Sequence, residues 1–151
     1  MKLSIQEHRN GAKLIPAYIQ DEVKNAITHC HVLKRATPAR EDILKTLRGK
    51  HGWSDETTLS PDAKISITSR KGDIGLCVQT GNMSRFYADL LKLEYLFKEG
   101  MIQSAVYILP VKDLANQWGD NIAHFERFTN EVKIFSKIIN TPMLIIGIPH
   151  T

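Results

Sequence analysis

Cys77 and Gln79 stand two positions apart at the end of an apolar run, Ile74 to Val78, and side chains two apart on a strand share a face. With Gly75 they would emerge beside a helix opening at Asn82. A cysteine there could act as a nucleophile if a histidine stood near it; as a buried thiol it would only fill space. Four cations bracket the same region: Arg70 and Lys71 at the turn before the run, and Arg85 and Lys92 on the helix after it. They could meet phosphate oxygens, helped by backbone donors at the helix N-terminus near Asn82, or they could be solvated surface charge. Asp89 lies three residues before Lys92 and four after Arg85, spacings at which a helical carboxylate pairs with a cation. Two other clusters invite chemistry less convincingly. His29, Cys30 and His31 are adjacent on a helix, where neighbours point roughly 100° apart and do not converge on one ion. His124, Glu126, Arg127 and Glu131 suggest acid–base work, but Phe125, Phe128 and Val132 mark the apolar face and leave the two glutamates on exposed sides.

The elements that must position these residues follow from periodicity. Ile15, Ile19, Val23, Ala26 and Ile27 predict an amphipathic helix from Asn10 to about His31, starting close to Pro16. Thr37 and Pro38 open a second, short helix ending near Gly49. Residues 50–62 read as a loop anchored by Trp53. From Lys64 the period drops to two, giving a hairpin of Ile65–Thr68 and Ile74–Val78 around a turn at Arg70 to Asp73. A strong helix follows from Asn82 to Gly100, then a buried strand from Ala105 to Leu109. Helical pieces at Val111 to Trp118 and Ile122 to Ile138 lead to a last strand, Pro142 to Ile148. A hairpin followed by helix-connected strands is an α/β arrangement: a mixed sheet flanked by helices on both sides.

The chain has 151 residues, 42% of them hydrophobic and 24% charged, which suits one globular domain spanning residues 1–151. No apolar run approaches the roughly 20 residues that span a bilayer, and the first ten residues are too polar for a secretory signal, so a cytoplasmic protein with no membrane partner is expected. Cys30 and Cys77 read as free thiols. A formal charge of +4 ranks polyanions first among partners.

Val78, Gln79 and Gly81 at a strand end, followed by Tyr87, Asp89, Leu90 and Lys92 on a helix, resemble the BglII-type branch of the PD-(D/E)xK restriction endonucleases, a branch that includes BstYI and, more distantly, BamHI. The likeness covers about residues 52–148. It implies a restriction-endonuclease-like fold, double-stranded DNA as partner, a homodimer, and magnesium as cofactor if the site is active. Such enzymes hold magnesium with one acid on the first hairpin strand and another on the second, two positions before a polar or basic residue. Carried onto this chain, the first acid falls on Thr68, the second on Cys77 and the polar partner on Gln79.

Thiol and hydroxyl are poor magnesium ligands, because this hard cation seeks carboxylate, water and phosphate oxygens. The resemblance with these two replacements therefore implies a DNA-binding protein that has lost cutting and needs no cofactor. The alternatives are an active magnesium- or manganese-dependent endonuclease with a rearranged ligand set drawing on Glu22 or Asp73, and a protein-binding scaffold. Asp73 shares the face of Cys77 but lies about 13 Å along the strand, too far for the same ion. Given the fold, Arg70, Lys71, Arg85, Lys92 and the helix start at Asn82 are expected to contact DNA phosphates. A chain shorter than the full enzymes is expected to bind through the backbone and with little sequence preference.

Overall fold

The computed structural model describes residues 2–62 and 64–151. At its centre three parallel strands alternate their side chains between two cores: β5 (Ile74–Val78), β6 (Ser104–Pro110) and β7 (Met143–Ile148). Leu76, Val78, Val106, Ile108, Leu144 and Ile146 face one core, while Cys77, Tyr107, Leu109 and Ile145 face the other. Strands covered on both faces read as continuous apolar runs, and these do. Antiparallel strands close the edges, β1 (Ser4–His8) on β7 and β4 (Ser69–Lys71) on β5, giving the order β1-β7-β6-β5-β4.

Helices cover both faces. α1 (Ala17–Thr28), α2 (Ala36–His51) and α4 (Lys112–Trp118) pack on the first core, and α3 (Arg85–Lys98) and α5 (Phe125–Ile134) on the second. The stripe Ala39, Ile43, Leu44 and Leu47 of α2 is buried against one face of the sheet, and Phe86, Leu90 and Leu93 of α3 against the other. The expected mixed α/β fold is therefore present. Trp53 is buried, and a small second sheet pairs β2 (Thr57–Thr58) with β3 (Ser66–Ile67). Among the described residues no helix is long and apolar enough to cross a membrane.

Several local expectations fail for identifiable reasons. β1 is a strand that the sequence reading leaves out: its more buried positions are Ser4, Gln6 and His8, while Ile5 is 43% exposed, so no apolar alternation announces it. Pairing with β7 makes it a strand, and the bond between His8 Nε2 and the Ile139 carbonyl (2.7 Å) ties down its end. The first α-helix begins at Ala17, close to Pro16 as expected, and residues 10–16 of the wider range lie before it. Gly11 lies so close to the Met143 backbone that a Cβ would stand 2.3 Å from it, and the chain makes a single 3-10 turn, Gly11–Leu14, before Pro16. α2 continues through Gly49 to His51 and stops where Gly52 takes a left-handed φ of 73°.

The first hairpin strand is broken in two. Thr68 Oγ1 accepts the Val78 N–H at 3.1 Å, so β3 leaves the main sheet to pair with β2 while β4 remains on β5. α3 starts at Arg85 because Asn82 Oδ1 accepts from the Ser84 N–H and hydroxyl, holding residues 82–84 in a turn. α5 ends at Ile134 instead of Ile138, and the Ile138 N–H closes a turn on the Phe135 carbonyl.

Candidate functional site

A polar cavity of about 620 Å³ opens between α2, the end of β5, β3 and α3. Gln79, just past the end of β5, reaches its wall, and helical spacing on α3 brings Arg85, Asp89 and Lys92. Thr68 lines it from the bend between β3 and β4, Glu56 from the loop before β2, and Arg40 from α2. Of the residues singled out by sequence, Thr68, Gln79, Arg85, Asp89 and Lys92 meet here.

Asp89 is the hub of one wall. It is buried, and its Oδ2 accepts from Gln79 Nε2 at 2.7 Å and from the Tyr107 hydroxyl at 2.6 Å, while Lys92 Nζ lies 3.9 Å from Oδ1. The other end of the Gln79 amide accepts the Gly81 N–H at 2.9 Å. A Cβ at Gly81 would stand 3.1 Å from Gln79 Oε1 and 3.2 Å from the Arg85 guanidinium, so a larger residue would push these side chains aside. Burial, then the neighbouring Asp89 charge, pushes the Tyr107 phenol well above its usual pKa and keeps it a donor.

Cys77 is 1% exposed and packs in the core beneath α3 rather than on the cavity wall. Burial, with the Asp89 charge adding to it, pushes the thiol well above its usual pKa, so it is neutral at physiological pH. The Thr68 hydroxyl oxygen accepts the Val78 N–H.

Five further singled-out residues lie outside the cavity wall. Glu22 is enclosed by Lys71 Nζ at 2.8 Å, Trp53 Nε1 at 3.2 Å and His51 Nδ1 at 3.7 Å. Lys71, held by that carboxylate and lying 5.4 Å over the Tyr18 ring, is thereby engaged within the fold. Arg70 Nε donates to the Gly72 carbonyl at 2.6 Å within its own turn, and Asp73 is exposed at the far end of β5. Asn82 caps its own turn, so the backbone donors of α3 begin three residues later than expected.

The acid–base cluster of the later helix has structural partners instead. His124 Nδ1 accepts the Arg127 N–H, Glu126 accepts the Lys112 N–H, and Glu131 is gripped by Arg127 and the Tyr87 hydroxyl. Glu131 is consequently half-buried, not exposed as expected.

Arg40 escaped the sequence reading, and so did its neighbour Arg48. The signal was available: Arg40 precedes Ile43, Leu44 and Leu47 by three, four and seven residues, which places a charge in phase with the apolar stripe of α2. Arg40 Nε donates to the Val78 carbonyl at 3.1 Å, and Arg48 donates to the carbonyls of Ser54 (3.0 Å) and Thr68 (2.6 Å).

The residues at the two positions expected to carry the family's acids do not suit magnesium. Neither Thr68 nor Cys77 offers an anionic oxygen, and Asp89 Oδ2 already accepts two hydrogen bonds. Among the described residues, no three His, Cys, Asp or Glu side chains are grouped to hold a metal.

Comparison with known proteins places this geometry in context. No curated protein matches the sequence. Among solved structures, BglII restriction endonuclease complexed with a DNA 16-mer superposes with a TM-score of 0.82 at 14% identity, over 100% of this chain and 78% of that one. Free BglII gives a TM-score of 0.77 at 14% identity, covering 100% and 81%. At that identity the likeness establishes the fold. The family model described as restriction endonuclease BglII/BglIII matches residues 3–148, nearly the whole sequence. The chain belongs to the BglII/BglIII restriction endonuclease family.

Proposed function

We propose that this member of the family binds double-stranded DNA and no longer cuts it. The observation that carries the reading is the state of the two family acid positions: a threonine whose hydroxyl oxygen accepts the Val78 N–H and a neutral cysteine buried out of the cavity. Cutting by this family's route needs a metal at those positions to stabilise charge on the phosphate, and hydroxyl and thiol do not supply its ligands. Three cations, Arg40, Arg85 and Lys92, line the cavity beside Glu56 and Asp89, and Lys92 is already near Asp89. Contacts of this kind favour phosphates over base edges, so binding is salt-sensitive and weakly sequence-selective.

The homodimer belongs to the same proposal. Its support is an apolar strip on the outer side of α3 and beyond α5, where Leu91 is 67% and Ile134 73% exposed beside Tyr95 and Ile138. Leu91 and Ile138 share an apolar groove with Tyr87 and Phe135, a surface that a second copy would cover. Sedimentation should report a dimer that Leu91→Asp dissociates.

Incubation with plasmid DNA and magnesium or manganese tests the main reading, alongside a gel shift at about 50 mM salt. The expected result is a shifted duplex and no nicking. Metal-dependent nicking abolished by Asp89→Ala or Glu56→Ala would establish the rearranged-nuclease reading instead, since those are the carboxylates that line the cavity. A protein-binding scaffold would shift no duplex.

A further inference from the structure

The family holds its phosphate through a metal between two strand acids, and this chain has placed a guanidinium beside the same stretch of backbone. Arg40 reaches from α2 to the end of β5 and fixes itself by one bond, Nε to the carbonyl of Val78, the residue between the two family positions Cys77 and Gln79. Its side chain is half-buried and lines the cavity, yet among the described residues its Nη atoms have no hydrogen-bond partner. Arg48, two helical turns on, differs in both respects: its Nε and Nη2 are occupied by the carbonyls of Ser54 and Thr68, and it does not line the cavity.

An arginine anchored through Nε is aimed, because the planar guanidinium then presents its two Nη groups in a fixed direction. The position is also electrostatically uncomfortable. Burial first, and then the like charge of Arg48, lower the Arg40 pKa from its ordinary value against the pull of Glu56 and Asp89, although the group stays cationic. An anion in the cavity would offset the Arg48 repulsion and pair the buried charge, and two non-bridging oxygens of a phosphodiester match the spacing of two guanidinium donors.

We infer that Arg40 is a metal-independent phosphate clamp, its Nη edge holding a phosphodiester of duplex DNA where the family's nucleases rely on a metal ion. The inference rests on the DNA-binding reading and adds to it a residue and a cation requirement. Arg85 and Lys92 supply further charge from the opposite wall.

Binding of the full chain to a fluorescent duplex, measured in excess EDTA and in magnesium across a salt series, tests it. Wild-type affinity should be the same in both. Arg40→Gln should bind about tenfold more weakly, and the slope of log affinity against log salt should fall by about one. Lys133→Gln, an exposed charge on α5, serves as the control for a generic loss of one cation and should change affinity less than Arg40→Gln does. If Arg40→Gln melts before it can be assayed, Arg40→Lys replaces it; keeping the charge but losing the fork, it should bind several-fold more weakly at an unchanged slope. Wild-type affinity in Arg40→Gln, or in Arg40→Lys where that variant stands in, overturns the clamp while leaving DNA binding intact. So does wild-type binding that disappears in EDTA. A wild-type chain that binds no duplex under any condition overturns the DNA-binding reading and the clamp with it.

Discussion

α2 and α3 lie on opposite faces of one sheet and both send charged side chains toward its edge, but their polar groups end in different states. On α3, Glu94 accepts from the backbone and side chains of both Asn140 and Thr141, and Asp89 accepts from Gln79 and Tyr107. These carboxylates close the fold. On α2, Arg48 is equally occupied, whereas Arg40 is fixed at one nitrogen and open to a cavity at the other two. A buried polar group with all its partners inside the protein is a structural device, and one with its remaining donors facing a cavity is available to a ligand.

The contrast breaks most visibly at Asp89. Asp89→Ala leaves the fully buried Tyr107 hydroxyl without its acceptor and frees the Gln79 amide, so we expect a loss of about 3 kcal/mol in urea unfolding. Arg40→Gln should cost less than half as much, because it removes one partly exposed bond. A variant of Asp89 as stable as wild type would erase the distinction between the two helices.

Glu94 sharpens the comparison through pH. Burial opposes its charged form, but the hydrogen bonds from Thr141 and Asn140 outweigh burial and hold its pKa below the usual carboxylate value. A depressed folded pKa contributes stability that is present above the unfolded value, about 4.3, and lost as pH falls through the folded value. Glu94→Gln should cost about 2 kcal/mol at neutral pH and flatten the acid side of the stability curve, as followed by thermal melting across pH.

The smallest expected effect is at His124, whose Nδ1 must be unprotonated to cap α5. Burial lowers its pKa, with Lys112 and Arg127 adding to that against the pull of Glu126. The unfolded chain therefore takes up a proton first, and this contribution fades as pH drops below about 6.5. His124→Asn keeps an acceptor at the cap, so neutral-pH stability should change by no more than about 0.5 kcal/mol while the decline below pH about 6.5 becomes shallower. An unchanged pH profile would remove His124 from the account.

The sequence by itself determined the central architecture. Two-residue alternation in Ile74–Val78 and unbroken apolar runs in the later strands give β5, β6 and β7, and helical spacing of Phe86, Leu90 and Leu93 gives α3, because each pattern is the local image of a surface that must be buried. That the two positions expected to carry the family's acids hold Thr68 and Cys77 is likewise a reading of residue identity, which needs no coordinates. The tertiary structure alone decided who meets whom. Glu22 was a free carboxylate on paper until Lys71, 49 residues away, enclosed it, and Arg40 was a helix cation until packing carried it to the Val78 carbonyl, 38 residues away. Long charged side chains take their partners from distant segments, and sequence periodicity carries no information about that choice.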